Sequence, residues 1–255
     1  MSVEPPTIHG VSERFLRRLA EEPFLCFLSH IDWAPESMIA NALDFFDEYG
    51  VAVTPYVTHE SPTIRQRYQG DRERLVGLHP NFLPESTHGR TTEEVIDHVL
   101  GLWPTARSFA SHCFVDSALI ATEFFQRGLR YDSNLCLHLQ PSLVPFRHHS
   151  GLVRFPVFFA DDVYAAQSGN LDYTRVADLF KAPGLKLMNF HPVHISLNTP
   201  NVEYYRALKR DLREWPRGAF GGRGLRTFLD ELMQDVHAAK LATYYLDDLA
   251  RAAMT

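Results

Sequence analysis

The sequence predicts an α/β fold in which a parallel sheet closes into a barrel. Apolar runs of strand length, such as residues 25–32 and 185–190, alternate with helical patterns along the chain, as in parallel sheets covered by helices. Several of these runs end in His or Asp, at the edge where barrel active sites lie. The sequence contains no glycine motif for nucleotide phosphates, which disfavours a doubly wound sheet.

The first predicted unit shows the alternation most clearly. Residues 12–20 predict a short helix, and residues 25–32 predict a strand buried on both faces. Pro35 suits the first turn of the next helix, and Gly50 suits its end. Residues 51–57 then predict a second strand, which should pair in parallel with the first.

The remaining elements continue this pattern. Predicted strands are residues 75–78, 106–113, 129–134, 153–160 and 185–190. Predicted helices are 95–103 after a capping box at 91–94, a helix capped by Asp116 and running to residue 126, 171–180, 202–215, 225–240 and 242–254. We expect one domain over residues 1–255, with a core at about 22–200 and C-terminal helices over 202–254 that cover the barrel base or form a dimer contact.

Composition narrows the classes of partner. The chain carries a net charge of −6 and no basic block, so nucleic acid is not expected as a partner. No apolar stretch approaches the ~20 residues of a spanning helix, so insertion into a membrane is not expected. The three cysteines are scattered and contain no C-x-x-C pair, which excludes a cysteine zinc site and is typical of a reducing compartment. Because the sequence starts without a signal-peptide pattern, the expected location is the cytoplasm.

His and Asp residues at the predicted strand ends are the candidates for chemistry. His30 and Asp32 lie two apart and should point to the same side of their strand. His79 ends another strand, and His88 follows it in a loop. One Asp and two His from separate strands suit a divalent metal with positions open for water and substrate. Asp32 could instead cap the following helix.

Further strand ends carry a second group of polar residues. His191 and His194 follow the last strong strand, and a neutral imidazole can serve as acid or base near neutral pH. Asp161 and Asp162 follow another strand, although a helix start would also explain them. The other candidates at strand ends are Arg107, His112, Tyr131 and Asp132.

In its ordered set of motifs the chain resembles the polysaccharide deacetylase superfamily, whose members share the NodB homology domain of carbohydrate esterase family 4. It is similar in particular to the WbmS-like branch associated with O-antigen and capsule loci. The supporting stretches are SHIDWAP (29–35), GLHPNF (77–82), STHG (86–89), RS (107–108), YDSN (131–134), FPVFFADD (155–162) and NFHPVH (189–194).

The resemblance implies a distorted (β/α)7 barrel with one divalent metal ion, zinc first and cobalt, nickel or iron as alternatives. Asp32 matches the family's metal aspartate and His79 its first metal histidine. His88 is the predicted second one, although the family usually spaces the two histidines more closely, and His112 is the reserve. His191 matches the general acid. Asn81, His112, Tyr131, Asp132 and His194 are assigned to the substrate, and Arg107 to catalysis.

The main departure from the family pattern is the catalytic base. The superfamily usually has an Asp just before or two before the metal aspartate, where this chain has Ile31 and His30. His30, Asp161 or Asp162 could replace it. The resemblance implies hydrolysis of an acetyl or formyl group from a small or carrier-linked N-acyl amino sugar in surface glycan synthesis. The alternatives are another metal-dependent barrel amidohydrolase or phosphoesterase, and an inactive carbohydrate-binding subunit.

Overall fold

The computed structural model describes residues 10–168, 170–212 and 215–255. Within them a single sheet forms the centre of the molecule. Its strands are β1 (Pro23–His30), β2 (Val53–Val57), β3 (Gly77–Leu78), β4 (Ser108–Phe109), β5 (Tyr131–Asp132), β6 (Phe146–Arg147), β7 (Val153–Arg154), β8 (Val157–Ala160) and β9 (Gly184–Phe190).

The strand order is β6-β7-β5-β4-β3-β2-β1-β9-β8, and every pair is parallel except β6 with β7. β7 and β8 form one extended run that pairs with β5 at its start and with β9 at its end. This run therefore joins the two ends of the sheet into a ring. Pro156 separates its two halves, since proline cannot donate to a ladder. The predicted distorted (β/α)7 barrel is confirmed.

The helices lie around the outside of the barrel and at the amino ends of its strands. They are α1 (Glu13–Glu21), α2 (Glu36–Glu48), α3 (Pro62–Arg67), α4 (Thr92–Leu102), α5 (Ala118–Gln126), α6 (Asp161–Gln167), α7 (Ala177–Lys181), α8 (Pro192–Leu197), α9 (Val202–Leu208), α10 (Leu225–Ala238) and α11 (Leu246–Met254). Among the described residues, none of these helices combines the length and apolar character needed to span a bilayer.

Most predicted elements are present, and the differences have local causes. The N-cap of α5 is Ser117, whose hydroxyl accepts the Ile120 N–H, because the Asp116 carboxylate pairs with Arg154 instead. The predicted helix 171–180 divides into a 3₁₀ turn at Tyr173–Arg175 and α7. The predicted helix 202–215 ends at Leu208 in α9, and residues 213–214 lie outside the described part of the chain.

The last two helices cover the barrel, as one of the two predicted alternatives had it. The apolar stripe of α10 is buried, and Phe228 stacks on Phe159 of β8 with ring centroids 5.2 Å apart. α11 lies under the amino ends of the strands, where the Leu246 N–H donates to the Thr54 hydroxyl. These apolar stripes therefore pack into the core of their own chain. They give no support to a homodimer, which stays a prediction.

Lys186 is a buried cation in β9. Its ammonium donates to the Pro183 carbonyl at 3.1 Å and lies 4.7 Å from the Phe158 ring centroid. Burial lowers the pKa of Lys186 to about 8, from 10.5. Between pH 8 and pH 10.5 the Lys186 side chain is protonated in the unfolded chain but deprotonated in the native protein. This lysine therefore destabilises the fold below pH 8, and the penalty disappears as the pH rises towards 10.5.

We therefore expect Lys186→Met to be more stable than the parent protein at pH 7, by up to about 3 kcal/mol at 1.36 kcal/mol per pKa unit. The lost contacts with Pro183 and Phe158 reduce this gain. The free energy of unfolding, measured in urea at pH 7 and pH 10, should show the difference shrinking at the higher pH. The control is Lys209→Met on the exposed end of α9. A difference that does not vary with pH would contradict the explanation.

Candidate metal centre

A strained turn follows β1 and carries the predicted metal aspartate. The strand ends at His30, two residues earlier than predicted. The Ala34 N–H donates to the Ile31 carbonyl at 2.7 Å, which closes a turn around Asp32 and Trp33. Both residues are left-handed, with φ values of 40° and 55°. The turn, rather than strand alternation, brings the Asp32 carboxylate to the imidazole of His79, which follows β3.

Asp32 lies between two histidines from other strand ends. Its Oδ1 is 2.8 Å from Nε2 of His79, which directly follows β3. Its Oδ2 is 3.3 Å from Nδ1 of His112, which lies beyond β4. One donor atom from each of the three residues lies within 4.8 Å of the others. This is the spacing expected of side chains that share one ion.

The hydrogen bonds of His79 show that its contact with Asp32 suits a cation. Nδ1 of His79 faces the Ala110 carbonyl, which can only accept, so Nδ1 carries the proton. In the neutral ring Nε2 is then a lone pair directed at a carboxylate oxygen. Within the described residues neither His79 Nε2 nor Asp32 Oδ1 has a hydrogen-bond partner. A divalent cation would satisfy both atoms, and the carbonyl bond to Nδ1 is typical of metal-ligating histidines.

The structure places His112, and not the predicted His88, in this group. Nδ1 of His88 accepts the backbone N–H of Asn81 at 3.1 Å. Its Nε2 has no hydrogen-bond partner among the described residues, but His88 does not join the group of close ligand atoms around Asp32. Burial, together with the neighbouring His98, lowers the pKa of His88 to about 4. The ring of His88 packs against Trp33 instead, with centroids 5.4 Å apart. On geometry, His112 is therefore a better candidate than His88 for the second metal histidine.

His191 and Asp161 form a buried pair on the other side of Asp32. The Asp161 Oδ1 is 2.6 Å from Nδ1 of His191, and its Oδ2 accepts the His191 backbone N–H at 2.8 Å. Nε2 of His191 is 3.5 Å from Asp32 Oδ2. Burial opposes the charge of the ring, but Asp161 and Asp32 raise the pKa of His191 to about 10. The arrangement holds a protonated imidazole with Nε2 directed at the centre.

A second group of close ligand atoms contains Asp161, His191 and His194. These atoms already have partners within the protein. Both Asp161 oxygens are bonded to His191, and Nδ1 of His194 lies 3.1 Å from the Thr199 hydroxyl. His194 also packs edge-on against Tyr205, with ring centroids 4.8 Å apart. This group is therefore satisfied by hydrogen bonds, unlike the Asp32 group.

His30 is the remaining buried imidazole of the cluster. Its ring centroid is 4.3 Å from that of His79 and 5.8 Å from that of His191. Burial and these two histidines lower the pKa of His30 well below its usual value, so the ring is neutral. Nε2 of His30 has no hydrogen-bond partner among the described residues. Asp162, in contrast, is exposed, and Asp161 is occupied by His191.

Comparisons with known proteins identify the family of the chain. The sequence profile of the family described as WbmS-like, polysaccharide deacetylase, matches residues 28–209. The chain belongs to this family. A crystal structure from Bordetella bronchiseptica, of a protein to which the role of polysaccharide deacetylase in O-antigen biosynthesis has been assigned, is similar at a TM-score of 0.74 and 31% identity, covering 83% of this chain and 89% of that one.

A more distant solved structure is that of a Mycobacterium smegmatis protein assigned as a polysaccharide deacetylase. It shares 14% identity at a TM-score of 0.42, over 89% of this chain and 94% of that one. No curated protein sequence matches the chain.

Two residues with family-derived roles lie at the wrong end of the barrel for a part in the site. Arg107 precedes β4, and its guanidinium lies 3.8 Å from Asp247 of α11. The Tyr131 hydroxyl donates to the same carboxylate at 2.9 Å. Because α11 covers the amino ends of the strands, both side chains stabilise that cover. The predicted catalytic role of Arg107 and the substrate-binding role of Tyr131 are therefore not supported.

Asp132 is fully buried, and its carboxylate is occupied by an ion pair. Arg154 binds it through Nε at 2.8 Å and binds Asp116 through Nη1 at 2.6 Å. Burial raises the pKa of Asp132 to about 6, although Arg154 opposes the shift. Asp132 Oδ1 in turn accepts the Asn134 N–H at 3.1 Å. The group supports the loop that carries His112, so the substrate-binding role predicted for Asp132 is replaced by a positioning one.

Asn134 and Arg154 were missed by the sequence reasoning. The Asn134 amide accepts the Ser111 N–H at 2.8 Å and donates to the Val115 carbonyl at 3.0 Å, on the two sides of His112. Arg154 is nearly fully buried in β7. A charged residue inside an otherwise apolar strand was the available signal, because such a residue requires a buried partner.

We expect Asn134→Ala to weaken metal binding by about 10–100-fold, the usual effect of losing an outer support of a ligand. The substitution removes both bonds that hold the loop on either side of His112, so the ligand is no longer pre-positioned. Competition with a fluorescent zinc chelator measures the affinity. Asn170→Ala, at an exposed position, is the control. Equal affinities in the two variants would contradict the positioning role.

A cavity of about 800 Å³ lies between the loops that follow β3 and β4. Its lining includes Phe82, Ser86, Arg90, Val95 and Ser117. The same loops carry His88 and His112, but neither of these residues lines the cavity. Asn81, whose Oδ1 accepts the Leu83 N–H at 3.0 Å, stands at the start of the first loop. Its predicted contact with substrate stays a prediction.

Proposed function

We propose that the protein is a metal-dependent hydrolase that removes an acetyl or formyl group from the nitrogen of an amino sugar in surface glycan synthesis. The observation that carries the proposal is the bare Nε2 of His79 facing the Asp32 carboxylate, with His112 beside it. Membership of the WbmS-like family, and the O-antigen role assigned to the Bordetella protein, support the substrate class.

Asp32, His79 and His112 would hold one divalent cation, zinc being the first choice for two imidazoles and a carboxylate. Such an ion lowers the pKa of water and polarises an acyl carbonyl. The neighbouring hydrogen bonds keep these side chains in place before substrate arrives. The Ala110 carbonyl fixes the tautomer of His79, and Asn134 fixes the loop of His112.

His191 is proposed as the donor of the proton that the leaving amine needs. Its Nε2 carries that proton, while Asp161 fixes the ring through Nδ1 and through the backbone N–H. Hydrolysis adds water across the C–N bond, so the acyl carbon gains the oxygen and the nitrogen gains a proton. Delivery from His191 Nε2 allows the nitrogen to leave as a neutral amine.

His30 is proposed as the acceptor of the proton that the attacking water loses. It occupies the region where the superfamily usually has its base aspartate, and its neutral ring keeps Nε2 free of protein partners. Asp161 is already bonded to His191, and Asp162 points outward from the start of α6. A neutral imidazole can take a proton as that aspartate would.

The test is a hydrolysis assay on N-acetyl and N-formyl amino sugars, free and linked to a nucleotide, with fluorogenic detection of the amine released. The protein should be loaded with zinc, cobalt or iron after chelator treatment. Amine release that depends on metal, and that His191→Gln reduces, supports the proposal. Zinc bound without turnover of any N-acyl sugar would favour the binding-subunit alternative.

A further inference from the structure

Trp33 is a large exposed aromatic side chain beside the candidate centre. It directly follows Asp32, and 38% of its surface is exposed. Tryptophan is highly buried on average, although it is rarely buried completely. In this chain the indole stands at the same turn that presents Asp32, whose side chain is itself partly exposed.

The backbone at this position is unfavourable for tryptophan. Trp33 has φ of 55° and follows Asp32 at 40°, in a turn closed by the Ala34 N–H on the Ile31 carbonyl. Positive φ at both central residues is the arrangement of a type I′ turn, where Asn and Gly are preferred. Bulky side chains rarely adopt this conformation, and such residues concentrate at functional sites. The conformation gives the turn no reason to carry an indole.

The ring of Trp33 is held in one orientation by its neighbours. His88 lies on one side and His112 meets it edge-on, each with a centroid distance of 5.4 Å. His98 stacks behind His88 at 4.8 Å. The Trp33 backbone N–H donates to the Thr58 hydroxyl at 3.1 Å. The indole is thus a fixed surface next to the cation ligands rather than a loose side chain.

We infer that Trp33 is a stacking platform for the pyranose ring of the amino sugar whose N-acyl group reaches the Asp32 centre. The inference rests on the proposed function. The face of a pyranose ring presents C–H groups, which pack on the electron-rich face of an indole and gain from its large apolar area. Its hydroxyl groups meanwhile stay at the rim, in water. His88 then acts as a support of the indole, which explains its burial without a ligand role.

The test is a titration of the zinc-loaded protein with N-acetylglucosamine and with its N-acetylated disaccharide, followed by tryptophan fluorescence and by calorimetry. Trp33→Gly removes the platform with a residue that suits the turn, so the variant should fold. We expect sugar affinity to fall at least tenfold, with zinc content unchanged. Trp33→Phe should keep most of the affinity but lose most of the fluorescence change, because Trp103 is buried and Trp215, the third tryptophan, is partly buried with its indole N–H bonded to the Ser196 carbonyl.

Equal sugar affinity in the parent protein and Trp33→Gly would overturn the inference, as would a parent protein that binds neither sugar. These results are separable from the fate of the proposed function. Hydrolysis of N-acyl amino sugars that Trp33→Gly leaves unchanged in KM would remove the platform and keep the hydrolase. Sugar binding through Trp33 without hydrolysis of any N-acyl sugar would keep the platform and remove the hydrolase.

Discussion

Asp32→Asn is expected to abolish tight metal binding and to lower kcat/KM by at least about 10³-fold, the upper range for loss of one preorganised electrostatic contact. Asparagine tolerates the left-handed φ of 40° at this position, so the turn should persist. The substitution removes only the negative charge that would hold a cation between His79 and His112. Affinity should therefore fall further than the 10–100-fold expected for an outer support.

Plasma mass spectrometry of untagged protein measures the metal content directly. Asp162→Asn makes the same chemical change at an exposed carboxylate near the site and should keep the metal. Asp32→Asn with a full equivalent of metal would show that the ion binds elsewhere. No metal in the parent protein, even after reconstitution, would remove the hydrolase mechanism altogether.

The same measurement of metal content distinguishes the two candidates for the second metal histidine, His112 and His88. His112→Ala should lose the metal, because Nδ1 of His112 faces Asp32 at 3.3 Å. His88→Ala should retain it, because Nδ1 of His88 is bonded to the Asn81 N–H and His88 lies outside the group of close ligand atoms around Asp32. The opposite result would restore the spacing-based assignment of His88.

Asp161→Asn is expected to lower kcat by about 10²–10⁴-fold, the range that a positioned proton donor contributes, while the metal stays bound. Asp161 is fully buried, and its charge faces Nδ1 of His191 at 2.6 Å. An amide at this position cannot balance an imidazolium, so His191 loses its proton more easily. The binding of the N-acyl group itself does not use Asp161, and KM should change little.

The adjacent pair offers a matched control, since Asp162→Asn alters the neighbouring but exposed carboxylate. A double variant of Asp161→Asn and His191→Gln should be hardly slower than His191→Gln alone, because the two residues act as a unit. Additive losses would mean that Asp161 acts independently of His191. An unchanged kcat in Asp161→Asn would exclude the pair from the reaction.

The sequence alone determined the barrel and the strand ends that carry chemistry. Strands buried on both faces read as continuous apolar runs, and the polar residue that ends such a run must lie at the sheet's edge. For that reason Asp32 could be identified at the end of residues 25–32, and His79 and His191 directly after residues 75–78 and 185–190. The family resemblance added the roles of these three residues, and the fold brings their side chains together.

The tertiary structure decided which of the other candidates join them. β3, β4 and β5 are only two residues long, so sequence position near such a strand does not show which end a side chain reaches. Arg107 and Tyr131 accordingly turn to Asp247 at the amino ends, whereas His112 reaches Asp32 from a loop beyond β4.

Loop geometry and long-range pairing account for the remainder. The contacts between Asp161 and His191, and between Arg154 and Asp132, join residues 30 and 22 positions apart. The left-handed turn at Asp32 and Trp33 is held by Thr58, from the end of the next strand. The spacing of apolar residues indicates which face of a helix or strand is buried, but not which loops meet above the sheet. Only the folded barrel brings these loops together, and their meeting determines which residues form the site.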